Sequence, residues 1–176
     1  MGEKAERVTE AVIDSALKVW REGETAHWIL VVGDSMAPLL LDGDRLRVSH
    51  VIGHVRRGDV LVFRRQGVLV AHRVLRSRRE GARVVFLTKG DGVPSPDRPP
   101  VEEEQLVGRV VGLDRDGRYV ALDRPKWRWL GWIIASGALW RLRSGKSSPD
   151  FGRTMEPVFK WMRALIVALG VRWEEA

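Results

Sequence analysis

Residues 58–75 read GDVLVFRRQGVLVAHRVL, a Gly-Asp pair followed by two short β-rich runs, and this stretch decides the fold class. The runs 60–64 and 68–75 are rich in Val and Leu and have strand length. In the second, strict alternation puts Val68, Val70, His72 and Val74 on one face. Glycine tolerates positive φ and aspartate can bond its own backbone two residues on, so Gly-Asp marks a turn. The same grammar continues on both sides. Further Gly-Asp pairs stand at Gly33-Asp34, Gly43-Asp44 and Gly90-Asp91. Between and after them, 29–32, 45–51, 83–88, 106–113 and 119–122 are candidate strands. The loop 93–100 (VPSPDRPP) holds too many prolines for a central strand. The expectation is a mainly β domain over residues 28–124.

The flanks read differently. Over residues 5–22, Val8, Val12, Ala16, Val19 and Trp20 recur at helical spacing among charged residues, which predicts an N-terminal amphipathic helix in a segment 1–27. After Arg124 comes a basic, Trp-rich tail, 125–176, that carries six of the eight tryptophans. Trp129 and Trp140 bracket an apolar stretch flanked by Arg128 and Arg141. A polar linker at 144–150 follows, and 157–173 reads as a second helix. Tryptophans at both ends of an apolar stretch beside arginines fit a segment lying on a membrane interface. A helix packed on the β core is the competing reading.

Composition narrows the classes. Lys and Arg number 30 against 23 acids, a net charge of +7 that suits an anionic membrane surface, nucleic acid or an acidic partner. No nucleic-acid motif is present, so nucleic-acid binding is not expected. The absence of cysteine excludes disulfides, thiolate metal sites and a Cys nucleophile. No cofactor or metal is expected. The N-terminus lacks the apolar core of a signal peptide, and no stretch reaches the roughly 18 apolar residues of a membrane span. Peripheral association with the cytoplasmic face of a membrane is the expectation that follows.

Ser35 is the candidate nucleophile. It follows a strand, sits in the turn GDSMAP (residues 33–38), and Pro38 keeps Ala37 out of the helical region. A serine hydroxyl needs a base within hydrogen-bond reach and donors for the oxyanion. Among four histidines, His72 is the chosen base, since partial burial favours the neutral imidazole that a base requires. His50 shares the phase of Leu46 and Val48 and reads as core, while His27 and His54 have no supporting pattern. A carboxylate on the second ring nitrogen would fix the tautomer. Asp91 and Asp97 are both placed to supply it.

These residues resemble the signal peptidase I superfamily. Gly33–Pro38, then Leu41-Asp42-Gly43-Asp44, Arg57–Phe63, His72-Arg73-Val74, Leu87–Asp91 and Asp97 follow its order and approximate spacing over roughly residues 29 to 112. They are closest to the archaeal and endoplasmic-reticulum branch, in which a His replaces the bacterial Lys base. The resemblance implies Ser35 as nucleophile, His72 as general base, Asp97 as its orienting carboxylate, and Asp91 shaping the site or sharing that role. The Ser35 N–H becomes the implied oxyanion donor. The implied fold is the coiled, partly open β-barrel-like sheet of signal peptidases and self-cleaving repressors, with an N-terminal helix and a helical tail. One departure is visible: these enzymes carry a hydroxyl residue two before the nucleophile, and here that position is Gly33. The implied activity is hydrolysis of a peptide bond in precursor proteins or peptides through an acyl-enzyme, with small side chains preferred at the cut. A self-cleaving repressor module and a non-catalytic peptide-binding relative are the alternatives.

Overall fold

The computed structural model describes residues 26–144, with Ser15 and the backbone of Val171–Arg172. The described strands are β1 (Ala26–Leu30), β2 (Arg45–Ser49), β3 (Val60–Arg65), β4 (Val68–Glu80), β5 (Arg83–Lys89), β6 (Val101–Glu102), β7 (Leu106–Arg115), β8 (Arg118–Ala121) and β9 (Val171–Arg172), with helix α1 (Pro125–Ser144) between the last two. All pairings are antiparallel, and the strand path is β1-β2-β7-β3-β4-β5-β6. The expected mainly β, partly open coiled sheet is what the chain forms.

Two strands make it coil. β7 pairs with β2 along one edge, and its other edge is shared, first by β3 and then by β8. β4 does the same: residues 68–73 pair with β3, and residues 73–80 pair on the opposite edge with β5. The stretch 68–72 of β4 therefore has one edge without a strand partner among the described residues. Tight hairpins set the registers. Gln66-Gly67 joins β3 to β4 and Asp116-Gly117 joins β7 to β8, each with both residues at positive φ, the geometry that matches strand twist.

Apolar alternation builds a core on each face. One cluster gathers Met36, Leu40, Leu46, Val60, Val62, Val110 and Leu113 with Trp127 and Ile134 of α1. The other gathers Leu61, Phe63, Val74, Phe86, Val101 and Leu106. Proline at the first position of α1 suits a helix start. The helix buries Trp127, Ile134, Ala135, Ala138 and Leu139. It comes so close to the sheet that a Cβ on Gly58 would stand 2.4 Å from the Gly131 backbone. The start of the tail is thus a helix packed on the β core, while Trp129, Trp132 and Trp140 face outward at 67%, 48% and 62% exposure.

Strand boundaries differ from the sequence reading by a few residues. β4 runs on to Glu80, because exposed Arg76–Glu80 pairs with β5 although nothing apolar marks it. The short strands β6 and β9 carry too few residues to show a period. Val171–Arg172, expected at the end of a helix, is instead a strand on β8. The rest of that expected helix, the linker after Ser144 and the N-terminal helix apart from helical Ser15 lie outside the described residues.

Candidate active site

Ser35 stands at the start of a turn held from several sides. Gly33 has φ of +90°, which L side chains rarely adopt, and its N–H donates to Asp42 Oδ1 at 2.8 Å. The turn then folds back on itself through Ala37 N–H to Asp34 O at 2.8 Å, and sinks Met36, Leu39 and Leu40 into the core. From β7, Arg115 grips Asp44 with two nitrogens and donates to Leu39 O at 2.9 Å. The Ser35 N–H has no acceptor among the described hydrogen bonds, so it is available to an oxyanion.

A second loop clasps the turn. Gly92 N–H donates to Ser35 O at 2.9 Å. A Cβ on Gly90 would lie 2.3 Å from Ser35 O and 3.0 Å from His72 Nε2, so only glycine fits between nucleophile and base. Buried Lys89 props this loop from below through Gly90 O and Val93 O. Burial pulls the Lys89 ammonium below its ordinary value, with the Arg73 and Arg141 charges adding to the effect and Asp91 and Asp97 opposing it.

The relay itself is closed. Ser35 Oγ lies 3.2 Å from His72 Nε2, and His72 Nδ1 lies 2.7 Å from Asp97 Oδ2. With Nδ1–H donating to the carboxylate, Nε2 is left to accept the serine proton. Thr88 Oγ1 also donates to Asp97 Oδ2 at 2.6 Å, and the Asp97 N–H donates to Thr88 O. Burial pushes the Asp97 carboxyl up. The hydrogen bonds from His72 and Thr88 and the His72 and Arg65 charges outweigh that and hold it below its ordinary value.

Of the two carboxylates on which spacing was even, Asp97 is on His72. Asp91 does not share that role. It faces Arg73, which takes both its oxygens at 2.9 and 2.6 Å while donating to Gly58 O at 2.8 Å. The reason is β4's alternation: His72 and Arg73 are neighbours on opposite faces, so each meets a different aspartate. Asp91 shapes the site by holding the loop of Gly90 and Gly92. His50, expected in the core, is half-buried and bonds Val107 O at 3.0 Å and His27 at 3.0 Å, away from Ser35. His54 is exposed.

Thr88, Arg73, Gly90 and Gly92 were not singled out as site residues from the sequence. Thr88 carried a signal, a hydroxyl in phase with Phe86 on an inward face. The glycines carried none, since close approach depends on a partner over fifty residues away. Beside Ser35 lies an apolar groove of about 220 Å³, lined by Ile29–Val32, Met36, Leu40, Leu46, Val62 and residues 69–71. Among the described residues no group of three or more His, Asp or Glu could hold a metal ion.

Serine, imidazole and carboxylate in hydrogen-bonded series, set on a coiled antiparallel sheet, are the parts of a serine-hydrolase site. The comparisons supply the lineage: the chain belongs to the Peptidase S24-like family, whose model matches residues 1–111. It is 27% identical over 117 residues to the signal peptidase complex catalytic subunit sec11 of Dictyostelium discoideum, a match covering 58% of this chain and 65% of that protein. To signal peptidase I W of Bacillus subtilis (strain 168) it is 28% identical over 86 residues, covering 47% of this chain and 45% of that one. The match spans less than two thirds of either relative's length. The family match, with these two likenesses beside it, agrees with the superfamily that the residues resembled.

Proposed function

We propose that this protein is a serine endopeptidase of the signal-peptidase type, cutting precursor proteins or peptides at a membrane surface. The observation that carries the reading is the unbroken relay from Ser35 Oγ through His72 to Asp97, at 3.2 and 2.7 Å. His72 Nε2 takes the Ser35 proton as Oγ attacks the scissile carbonyl carbon. Nδ1–H stays on Asp97, which stabilises the imidazolium. The Ser35 N–H receives the oxyanion. His72 then protonates the departing amine, leaving an acyl-enzyme, and activates water for the second half. Gly33 sits at a positive φ, where a serine would be strained, and brings no hydroxyl to the oxyanion. The groove suits an extended peptide, since the edge of β4 that has no strand partner among the described residues leads to His72 and offers main-chain hydrogen bonds.

The membrane part rests on α1. Lys126, Arg128, Arg141 and Arg143 are its only charged residues, and three tryptophans face out beside them. Cations with exposed indoles suit an anionic bilayer surface. No described helix is long and apolar enough to cross a membrane.

Wild type incubated with membrane-extracted precursor peptides is expected to yield cleaved masses. Ser35→Ala and His72→Ala should each lower kcat by about 10⁴-fold or more without unfolding the protein. Cleavage that survives in either variant would refute the relay, and a wild type silent across a broad peptide set would favour a peptide-binding module. For the membrane, wild type should sediment with anionic vesicles and the triple Trp129→Ser, Trp132→Ser, Trp140→Ser variant should stay in the supernatant. Equal sedimentation of both would remove α1 from the account.

A further inference from the structure

The two oxygens of Asp97 have different duties. Oδ2 accepts from both His72 Nδ1 and Thr88 Oγ1, at 2.7 and 2.6 Å. Oδ1 faces Arg65, whose Nη1 is 3.5 Å away. Arg65 sits at the last position of β3, on the same sheet face as Phe63 and His72. Its guanidinium is fixed on two further sides, by a 2.7 Å hydrogen bond to Pro99 O and by the Phe63 ring, 5.3 Å from Cζ to centroid. Its side chain is 19% exposed. We propose that Arg65 is the positioning residue of the catalytic carboxylate, holding Asp97 turned so that Oδ2 remains on His72. This rests on the endopeptidase reading.

The other cations nearby are committed elsewhere. Arg73 uses Nε, Nη1 and Nη2 on Asp91 and Gly58 O. Lys89 donates to two loop carbonyls. Among the described residues, Arg65 is the arginine or lysine in salt-bridge contact with Asp97. Its bond to Pro99 O also ties it to the loop that carries Asp97, so one planar fork grips both the carboxylate and its backbone. Without it, Oδ1 loses its charged partner, and the hydrogen bonds of His72 and Thr88 hold the carboxylate through Oδ2 alone. The charged groups that face Asp97 are then His72 on β4 and, at longer range, Lys89 on β5.

The test compares Arg65→Met and Arg65→Lys with wild type. Arg65 borders an open pocket of about 440 Å³ shared with Arg64, Gln66, Arg98 and Glu104, so a shorter side chain there leaves no sealed cavity. Arg65→Met is expected to lower kcat about tenfold with KM nearly unchanged, the scale of losing a supporting partner that acts through another residue. Removing the cation should move the acid limb of kcat/KM to higher pH, and a ¹³C-carboxyl titration of Asp97 should move the same way. Arg65→Lys should return the titration toward wild type and recover part of kcat. Unchanged kcat with an unmoved Asp97 titration in Arg65→Met would overturn the role. So would a loss confined to KM. Should wild type cleave nothing, the endopeptidase reading falls, and the Asp97 titration alone decides whether Arg65 holds that carboxylate.

Discussion

Asp91 and Asp97 lie in one loop, six positions apart in the sequence, and the chain has built opposite environments around them. The Asp91 and Arg73 side chains are 3% and 4% exposed and satisfy each other with two hydrogen bonds. The Asp97 side chain is 14% exposed and serves His72, Thr88 and Arg65 at once. One carboxylate is sealed against a fixed charge. The other is hydrogen-bonded to an imidazole, whose charge would change in the proposed reaction. The lesson is that a site of this kind needs two electrostatic devices side by side, one to hold the loop and one to handle the proton.

Exchanging each aspartate for its amide should separate those duties. Asp97→Asn is expected to reduce kcat by about 10⁴-fold, because the amide favours the wrong imidazole tautomer, while the thermal midpoint stays close to wild type. Asp91→Asn should act chiefly on stability, at about 3–5 kcal/mol, because it strands a buried guanidinium; urea unfolding reads this. The contrast breaks if Asp91→Asn keeps full stability or Asp97→Asn keeps full activity. The smallest effect is in acid. The folded Asp97 carboxyl sits below its unfolded value, so its stabilisation is complete above about pH 4 and is lost as pH falls through the folded value. Wild-type urea midpoints should therefore fall more steeply below about pH 4 than those of Asp97→Asn. Parallel slopes in the two proteins would remove Asp97 from acid unfolding.

Much of this was legible in the chain. Alternation in residues 68–75 put His72 on a strand face, and the Gly-Asp turns marked where strands end. What alternation could not show is which strands meet. The Arg73–Asp91, Arg115–Asp44 and Arg109–Asp59 pairs each join an aspartate of a Gly-Asp turn to an arginine on another strand. From the sequence Asp44 and Asp59 read as turn formers, and Asp91 as a turn former or a partner of His72; in the folded chain all three are anchors. Their partners are set by register between distant strands, which no local pattern carries. Nothing local distinguished Asp97 from Asp91 either, because the difference lies in which face of β4 each meets. The tail was read as membrane surface or core packing. Helix α1 packs on the β core through Trp127, while Trp129, Trp132 and Trp140 face outward.

The grip on Ser35 has a consequence in time. Its turn is held by Gly92, 57 residues later, and by Arg115, which reaches back 71 and 76 residues to Asp44 and Leu39. Synthesis runs from the N-terminus, so the serine leaves the ribosome long before the residues that shape its surroundings. Until β7 has emerged, the chain carries Ser35, His72 and Asp97 without the frame that makes them a relay. The order of strands thus postpones the assembly of the Ser35–His72–Asp97 series until the sheet that supports it can close.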